Sequence, residues 1–209
     1  MRALLWLFLA ALPLLALDIV DKPILFGPQR IVLTQQYIKK HYGIDAKTIE
    51  IDPRMIVIHY TALPTLESSW RAFYPETLPR SRRDIADASA LNVSAHYLVD
   101  RDGTIYRLMP DNWMARHVIG LNLCAIGIEN VGSDDLTPAQ LDADRRLVAY
   151  LLRKYPRIRY LIGHYEYRTF EGSPLWLEKD AGYRTRKEDP GRAFMQRLRA
   201  YFPNLKNRP

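Results

Sequence analysis

Short apolar runs alternate with polar, proline-containing segments along the chain from residue 18 onward. Three of these runs are rich in β-branched residues and too short for convincing helices, so they predict buried strands. They are MIVIHY (55–60), CAIGIENVG (124–132) and IRYLIGHY (158–165). Two further runs flank Asp102-Gly103 within SAHYLVDRDGTIYRLM (94–109), and this dipeptide favours a hairpin because it tolerates positive φ angles.

Two longer segments carry apolar residues at a helical period. TPAQLDADRRLVAYLLRKYP (137–156) begins with Thr137, a natural N-cap, and stops at Pro156. Its predicted apolar face consists of Leu141, Val148, Leu151, Leu152 and Tyr155. In DPGRAFMQRLRAYF (189–202), Asp189 directly before Pro-Gly is again a natural N-cap. The inward-facing positions predicted for this helix are Phe194, Leu198 and Tyr201.

Strands separated by helices predict the α/β fold class, with a central mixed β-sheet flanked by helices. We assign this single domain to residues 54–202, preceded by an N-terminal extension at 18–53 and followed by a C-terminal tail at 203–209. Within the extension, a short helix is predicted for TQQYIKKHYGI (34–44), capped by Thr34 and ended by Gly43.

The N-terminus has the composition of an export signal. After Arg2, the segment ALLWLFLAALPLLAL (3–17) is uncharged, has the length of a signal-peptide apolar region and is short for a membrane span of about 20 residues. Ala16 supplies a small residue for cleavage. We therefore predict a signal peptide at 1–17 and a periplasmic or secreted protein, with an uncleaved membrane anchor as the alternative.

The composition adds a positive charge and few other constraints. The formal net charge is +7, with 48% hydrophobic and 25% charged residues, which favours anionic partners. No lysine- or arginine-rich block of the kind that follows a phosphate backbone is present, so nucleic acid is not predicted as a partner. Cys124 is the only cysteine and is interpreted as a small core residue. His41 is expected to be exposed to solvent.

Two predicted strands deliver a histidine at their downstream ends, His59 in IVIHYT and His164 in YLIGHY. Ligand sites form at such strand ends because the strands are rigid and the loops open to solvent. Neutral imidazoles suit Zn²⁺, and a catalytic zinc usually has three protein ligands and a water. A single strand-end histidine is more often a hydrogen-bonded structural residue, and two of them leave the structural and metal-binding interpretations open.

Asp189 is a candidate third ligand from its context. It directly precedes Pro-Gly, so a helix N-cap accounts for it. A cap does not explain why Arg186 and Lys187 lie next to the positively charged end of a helix. Capping and metal binding by Asp189 need not exclude one another.

Five segments together resemble successive blocks of the type-2 N-acetylmuramoyl-L-alanine amidases, a zinc amidase family that includes some phage lysins and the peptidoglycan recognition proteins. The segments are VIHYT, SAHYLVDRDGTIYRL, NLCAIGIENVG, LIGHYEY and RKEDPG, in the family's order. The resemblance spans about residues 54–200. It implies a mixed α/β domain with a central sheet and a shallow, zinc-containing groove.

Carried over position by position, the resemblance implies that His59, His164 and Asp189 are the zinc ligands. Glu129 in GIEN matches the acidic residue that activates or positions the attacking water, and Lys187 matches a lysine that stabilises the developing oxyanion. Elementary chemistry agrees with these roles. Zinc polarises the amide carbonyl and lowers the pKa of water towards about 7, a carboxylate transfers the proton of water to the leaving nitrogen, and an ammonium group offsets oxyanion charge.

Two further positions match family residues near the substrate, His117 in MARHVIGLN and Asn122. The family has tryptophan before this histidine and Ala-Gly after it, whereas this chain has Arg116 and Val118-Ile119. Substrate binding by His117 and Asn122 is therefore an expectation from the resemblance alone. His96 matches a position in the hairpin and is interpreted as a structural residue.

The chain departs from many relatives between the second histidine and the aspartate, where the relatives have a much shorter segment. Here residues 169–185 intervene and carry Trp176 and Tyr183. This insertion either forms a lid or wall whose aromatic rings stack on the substrate, or is a surface loop within the long polar segment 166–186. A second long polar loop is predicted at 75–92. The insertion also leaves Glu188 as the alternative to Asp189.

The predicted function is zinc-dependent hydrolysis of the amide bond between N-acetylmuramic acid and L-alanine in peptidoglycan or muropeptides. The alternative is an inactive peptidoglycan-binding module of the same fold. Inactive relatives typically lose a zinc ligand or the water-activating acid, and this chain keeps both, which favours the enzyme. Intact sacculus, soluble fragments and anhydro-muropeptides are all open as substrates.

Overall fold

The computed structural model describes residues 17–79, 85 and 87–209. Within these ranges the strands are β1 (Val20–Asp21), β2 (Met55–Tyr60), β3 (Tyr97–Val99), β4 (Ile105–Arg107), β5 (Ala125–Asn130) and β6 (Tyr160–Gly163). The helices are α1 (Pro28–Tyr37), α2 (Leu66–Phe73), α3 (Pro138–Lys154) and α4 (Arg192–Arg199), with a π-helical segment at Ile38–Tyr42 and a 3₁₀ helix at His164–Phe170.

Two predicted segments are covered only in part. Residues 1–16 of the predicted signal peptide, and residues 80–84 and 86 of the predicted 75–92 loop, lie outside the described residues. Among the helices of the described ranges, none has both the length and the apolar character needed to cross a bilayer.

The strands form one mixed sheet in the order β1-β4-β3-β5-β2-β6. Strands β3 and β4 are antiparallel and form the predicted hairpin, with Gly103 in its turn at a φ of +87°. The pairs β3–β5, β5–β2 and β2–β6 are parallel. The mixed sheet with its flanking helices confirms the predicted α/β fold class.

The three parallel strands β5, β2 and β6 determine where a site can form. In their register His59 pairs with Glu129, and Ile58 pairs with Gly163, the residue before His164. Residues opposite one another on adjacent strands are close neighbours. The pairing therefore brings both strand-end histidines and Glu129 to the same edge of the sheet.

Helix α3 forms where its period and cap predict it. The Thr137 hydroxyl accepts the N–H of Gln140, and the Gln140 side chain accepts the N–H of Thr137, which completes a capping box. The helix ends at Lys154, just before Pro156. Its buried apolar residues are Ala143, Leu147, Val148 and Leu151, while Leu141, Leu152 and Tyr155 are half-buried against the core.

The main core packs apolar residues of β2, β5 and β6 against α1, α3 and α4. A smaller cluster joins Phe73 of α2 to Leu98 of the hairpin. Cys124 is buried in the main core with a free thiol, as expected. Burial of apolar area at about 25 cal/mol per Å² makes this core the main source of stability.

The N-terminal extension packs onto the sheet and into the core. Strand β1 pairs in parallel with β4, and the core includes Tyr37, Ile38 and Tyr42. The helix begins at Pro28, so the prediction that Thr34 caps it is wrong; Thr34 is buried inside the helix. The predicted end at Gly43 is correct, because its φ of +69° is a left-handed conformation that glycine adopts without strain.

Helix α4 begins later than predicted. Its N-cap is Gly191, at a φ of +93°, so the prediction that Asp189 caps this helix is wrong. The Asp189 carboxylate points to the two strand-end histidines instead. Phe194 is buried as predicted, whereas the prediction for Tyr201 is wrong, because this side chain follows the helix and is 58% exposed.

A buried polar pair connects α3 to the sheet behind the strand ends. Asp144 of α3 and Asn130 of β5 are fully buried, and the Asn130 amide donates a hydrogen bond to Asp144 at 3.0 Å. The same amide donates to the backbone carbonyl of His59. Burial outweighs the hydrogen bond and raises the pKa of the Asp144 carboxyl to about 7.

We expect Asp144→Asn to stabilise the protein by an amount that grows with pH. A carboxyl whose pKa rises on folding binds more protons in the folded state, so its cost is absent at low pH and appears as the pH rises from about 4 to about 7. The increase in pKa from 3.8 to about 7 corresponds to about 4 kcal/mol above pH 7. Urea unfolding at pH 8 and pH 5 should show the larger gain at pH 8.

Asp142→Asn is a matched control in the same helix. Asp142 is exposed, and hydrogen bonds from Arg145 and then Arg146 lower the pKa of its carboxyl. This variant should be neutral or slightly less stable than the wild type at pH 8. If the effect of Asp144→Asn were the same at both pH values, burial of an ionisable carboxyl would not be its cause.

Candidate metal centre and groove

His59, His164 and Asp189 converge at the carboxyl edge of the parallel strands. His59 lies near the end of β2, His164 directly follows β6, and Asp189 lies in the segment before α4. The Nδ1 atoms of the two histidines are 2.9 Å apart. Asp189 Oδ2 lies 3.2 Å from His59 Nδ1 and 3.0 Å from His164 Nδ1, and all three side chains are buried. The structure thus brings together the three side chains that the resemblance implies as ligands.

The chemistry of this donor set fits zinc. Two imidazole nitrogens and a carboxylate oxygen are ligands that Zn²⁺ accepts, each at about 2.0–2.2 Å, and such atoms around a tetrahedral ion are about 3.3 Å apart. The three atoms here are separated by 2.9, 3.0 and 3.2 Å. Lone-pair-bearing atoms that face one another at this distance require a shared proton or a cation between them.

Burial sets the protonation states of the neighbouring groups. It lowers the pKa of the His164 imidazole to about 4, although the Asp189 carboxylate opposes the shift. Burial, followed by His59 and His96, holds the pKa of His117 well below its usual value. Burial disfavours the charge on Asp189, but His164 and His59 hold the pKa of its carboxyl well below its usual range. Neutral imidazole and ionised carboxylate are the forms that bind a metal ion.

His117 lies behind His59 and orients its ring. The His117 Nε2 is 3.2 Å from the carbonyl oxygen of Ala125, which only accepts, so this nitrogen carries the proton. The unprotonated Nδ1 of the neutral His117 ring lies 3.0 Å from Nε2 of His59 and accepts its hydrogen bond. In the neutral form of the His59 ring, Nδ1 then presents a lone pair to His164 and Asp189. A hydrogen bond on the remote nitrogen is what fixes the tautomer of metal-ligating histidines.

Gly127 in the middle of β5 makes room for this arrangement. A Cβ atom at Gly127 would lie 2.8 Å from Cγ of the His117 ring. His117 is 9% exposed and also lines the groove, so a substrate contact by His117 stays a prediction. The role of His117 in orienting His59 could not be predicted from the sequence, because the two residues are 58 positions apart and form no recognisable motif.

Glu129 and Lys187 face the same space as the three candidate ligands. All five side chains line a groove of about 330 Å³. The Glu129 Oε1 atom is 4.0 Å from Nδ1 of His59, and Lys187 is half-buried. The carboxylate and the ammonium group thus border the space in which an amide bound at this centre would lie.

Asn122 is fully buried and supports the segment that carries His117. Its Oδ1 atom accepts the backbone N–H groups of His117 and Val118 at 3.0 and 2.9 Å, and its amide donates to the hydroxyl of Tyr42 at 3.0 Å. It also borders a small cavity of about 50 Å³ that shares residues with the groove. Direct contact of Asn122 with substrate stays a prediction.

The remaining histidines have structural environments. His96 accepts the N–H of Gly127 through Nδ1 and donates through Nε2 to the carbonyl of Trp113, in agreement with the structural interpretation. The expectation that His41 is solvent-exposed is wrong. This residue is fully buried, with Glu178 Oε1 at 3.0 Å and the carbonyl oxygen of Ala88 at 3.1 Å.

The 169–185 insertion is attached to the N-terminal extension. The His41–Glu178 contact joins the two segments, and the N–H of Lys179 donates to the carbonyl of His41 at 2.9 Å. Trp176 is half-buried and lies over Gly120. Tyr183 lines the small cavity. The insertion thus packs against the domain and borders the small cavity, and stacking of Trp176 or Tyr183 on a substrate stays a prediction.

Arg116 is a functional candidate that sequence analysis noted only as a departure from the family. Its guanidinium is buried and donates to the Tyr183 hydroxyl at 3.0 Å, to the carbonyl of Ile85 at 3.0 Å and to the carbonyl of Leu91. Arg116 lines both the groove and the small cavity. It therefore joins Tyr183 of the insertion to Ile85 and Leu91 beside the candidate centre.

The fold and the site define a class of protein, an α/β protein with a candidate metal centre of two histidines and an aspartate at the ends of parallel strands. The sequence model of the N-acetylmuramoyl-L-alanine amidases matches residues 50–192. This chain belongs to the N-acetylmuramoyl-L-alanine amidase family, and the resemblance inferred from its motifs is confirmed.

Individual relatives agree with this assignment. The 1,6-anhydro-N-acetylmuramyl-L-alanine amidase AmpD of Escherichia coli (strain K12) is 31% identical over 169 residues, which cover 74% of this chain and 83% of that protein. The solved structure of N-acetylmuramoyl-L-alanine amidase LysC from Clostridium intestinale URNW matches with a TM-score of 0.56 at 23% identity, over 90% of this chain and 99% of that one.

A recognition protein has the same fold. Human PGRP-IBETAC, solved in complex with glycosamyl muramyl pentapeptide, matches with a TM-score of 0.52 at 19% identity, over 76% of this chain and 88% of that one. The likeness to this structure and to the clostridial amidase shows the fold alone.

Two adjacent carboxylates provide a test of the ligand set. The Glu188 side chain is 72% exposed and pairs with Arg186 at 3.2 Å, whereas Asp189 is buried against both histidines. We expect Asp189→Asn to weaken zinc binding by at least about tenfold, because it removes the anionic ligand. Glu188→Gln should bind zinc like the wild type.

Zinc content after equilibrium dialysis, measured by mass spectrometry of the metal, checks this prediction. Circular dichroism of both variants controls for folding. Loss of zinc from Glu188→Gln together with its retention in Asp189→Asn would move the ligand assignment to Glu188.

Proposed function

We propose that this protein hydrolyses the amide bond between N-acetylmuramic acid and L-alanine in peptidoglycan or in muropeptides derived from it. The observation that carries the proposal is the convergence of His59, His164 and Asp189 beside Glu129 in an open groove. Membership of the amidase family and the named activity of the Escherichia coli relative support the same bond and the same class of substrate.

His59, His164 and Asp189 would hold the zinc ion. When bound there, zinc supplies a Lewis acid that polarises the amide carbonyl and makes water acidic enough to attack near neutral pH. The protein's own contribution is to keep the ligand atoms in position. His117 orients His59, and the sheet register sets the distance between His59 and His164.

Glu129 moves the proton in this mechanism. Its carboxylate takes a proton from the attacking water while the water oxygen bonds to the carbonyl carbon. The same group then delivers the proton to the L-alanine nitrogen as the carbon–nitrogen bond breaks. The products are the free carboxylate of N-acetylmuramic acid and a stem peptide with a free amine.

Lys187 stabilises the charge that develops on the carbonyl oxygen. It lines the groove together with the three ligands, and its positive charge contributes to the lowered pKa of His164 after burial and the effects of Asp189 and His59. A cation placed beforehand where negative charge grows lowers the barrier without reorganisation during the reaction.

We also propose export to the periplasm or the cell exterior. Support comes from the apolar segment at 3–17 after Arg2, which has signal-peptide length, and from the location of peptidoglycan outside the cytoplasmic membrane.

The test is product analysis with and without metal. Purified protein is incubated with a muramyl peptide, then with a chelator, and then with zinc restored, and the products are identified by mass spectrometry. We expect a free stem peptide that begins with L-alanine, its loss on chelation and its return with zinc. Tight binding without cleavage at full zinc occupancy would favour the recognition-module alternative.

Glu129→Gln should retain zinc and lose about 10²–10⁴-fold in kcat, because glutamine keeps the shape of the side chain but cannot take the proton. Zinc content and kcat measured on the same preparation check this expectation. Asp142→Asn, which removes an exposed carboxylate of α3 that lines neither the groove nor the neighbouring depressions, is the control and should keep wild-type turnover. Unchanged turnover in Glu129→Gln would remove Glu129 from the mechanism.

A further inference from the structure

A second depression of about 380 Å³ adjoins the groove at Lys187, which lines both. We call this depression the basic pocket. Its lining residues are Tyr165, Arg186, Lys187, Glu188 and Arg192. Three of these five side chains are cationic and one is a carboxylate, so the basic pocket has a net positive charge. Lys187 extends this positive charge into the groove.

The cations of the basic pocket differ in how they are neutralised. Arg186 pairs with Glu188 at 3.2 Å, and both side chains are mostly exposed. Within residues 17–79, 85 and 87–209, no ion pair is formed by Lys187 or by Arg192. These two positive charges are available to an anion that enters from the groove.

Contacts around the basic pocket hold Arg192 in place. Its guanidinium lies over the ring of Tyr165, with 5.1 Å between the guanidinium carbon and the ring centroid. The N–H of Tyr165 donates to the carbonyl of Asp189 at 3.1 Å, and the N–H of Gly191 donates to the carbonyl of Glu188 at 3.0 Å. Arg192 is therefore positioned relative to the segment that carries Asp189.

The chemistry of the proposed substrate indicates which anion fits. The carboxyl group of N-acetylmuramic acid is consumed in the scissile amide, so the negative charges lie on the stem peptide. Its second residue, an acidic amino acid in many peptidoglycans, is separated from the scissile nitrogen by a single alanine. A carboxylate there lies within about 7 Å of the scissile nitrogen, because an extended chain spans at most about 3.6 Å per residue. Lys187 borders both the groove and the basic pocket, and a guanidinium binds carboxylates through paired N–H groups.

We propose that the basic pocket binds a free carboxylate of the stem peptide and that Arg192 makes the protein prefer acidic over amidated stem peptides. This inference rests on the proposed amidase function. In this proposal Lys187 still stabilises the oxyanion, and Arg192 determines which stem peptides the protein prefers.

The experiment compares two muramyl tripeptides that are identical except that the α-carboxyl of the second residue, D-glutamate, is free in one and amidated in the other. The ratio of kcat/KM for the acidic over the amidated substrate is measured. We expect the wild type to favour the acidic substrate about three- to tenfold, mainly through KM. The preference should shrink as the salt concentration rises.

Arg192→Gln should bring this ratio close to one. Arg197→Gln is the matched control, because Arg197 is an exposed arginine of the same helix outside the basic pocket, and it should keep the wild-type ratio. Equal cleavage of both substrates by the wild type, or an unchanged ratio in Arg192→Gln, overturns the inference and leaves the amidase proposal standing. Failure of the zinc-loaded wild type to cleave either substrate overturns both.

Discussion

Parallel pairing of β2 with β5 on one side and β6 on the other is the constraint on which the candidate centre depends. This register places His59 beside Glu129 and lets His164 emerge one residue beyond the Ile58–Gly163 pair. Side chains alternate between the faces of a strand, so a shift of one residue would turn either partner away. The backbone ladder therefore acts as the frame that holds side chains separated by 105 positions within 2.9 Å.

Strand β5 contributes to the centre at both ends. Its second-to-last residue is Glu129. The carbonyl of its first residue, Ala125, accepts the hydrogen bond that fixes the tautomer of His117. Through His117 this carbonyl also fixes which nitrogen of His59 faces His164 and Asp189. The sheet thus sets both the position and the orientation of the His59 ring. Gly127, between the two ends of β5, leaves space for the His117 ring that connects Ala125 to His59.

The lining of the small cavity beside the groove comes from parts of the chain that are remote in sequence. The buried His41–Glu178 contact joins the N-terminal extension to the insertion, and Arg116 joins Tyr183 of the insertion to Ile85 and Leu91. A buried charged group is tolerated only where partners compensate its lost hydration. These contacts connect the shape of the small cavity to the N-terminal extension, which lies mostly outside the matched family region.

Local patterns in the sequence determined the strands around His59, Glu129 and His164, the hairpin at Asp102-Gly103 and the capped helix after Thr137, because periodicity, turn residues and caps act over a few residues. Their positions at strand ends made His59 and His164 candidates, and the resemblance to the family assigned them, together with Asp189, as ligands. Only the tertiary structure decided that Asp189 turns to the histidines instead of capping α4, that His41 is buried and that His117 orients His59. These features depend on partners 25 to 137 positions away, and such contacts exist only once the chain has folded.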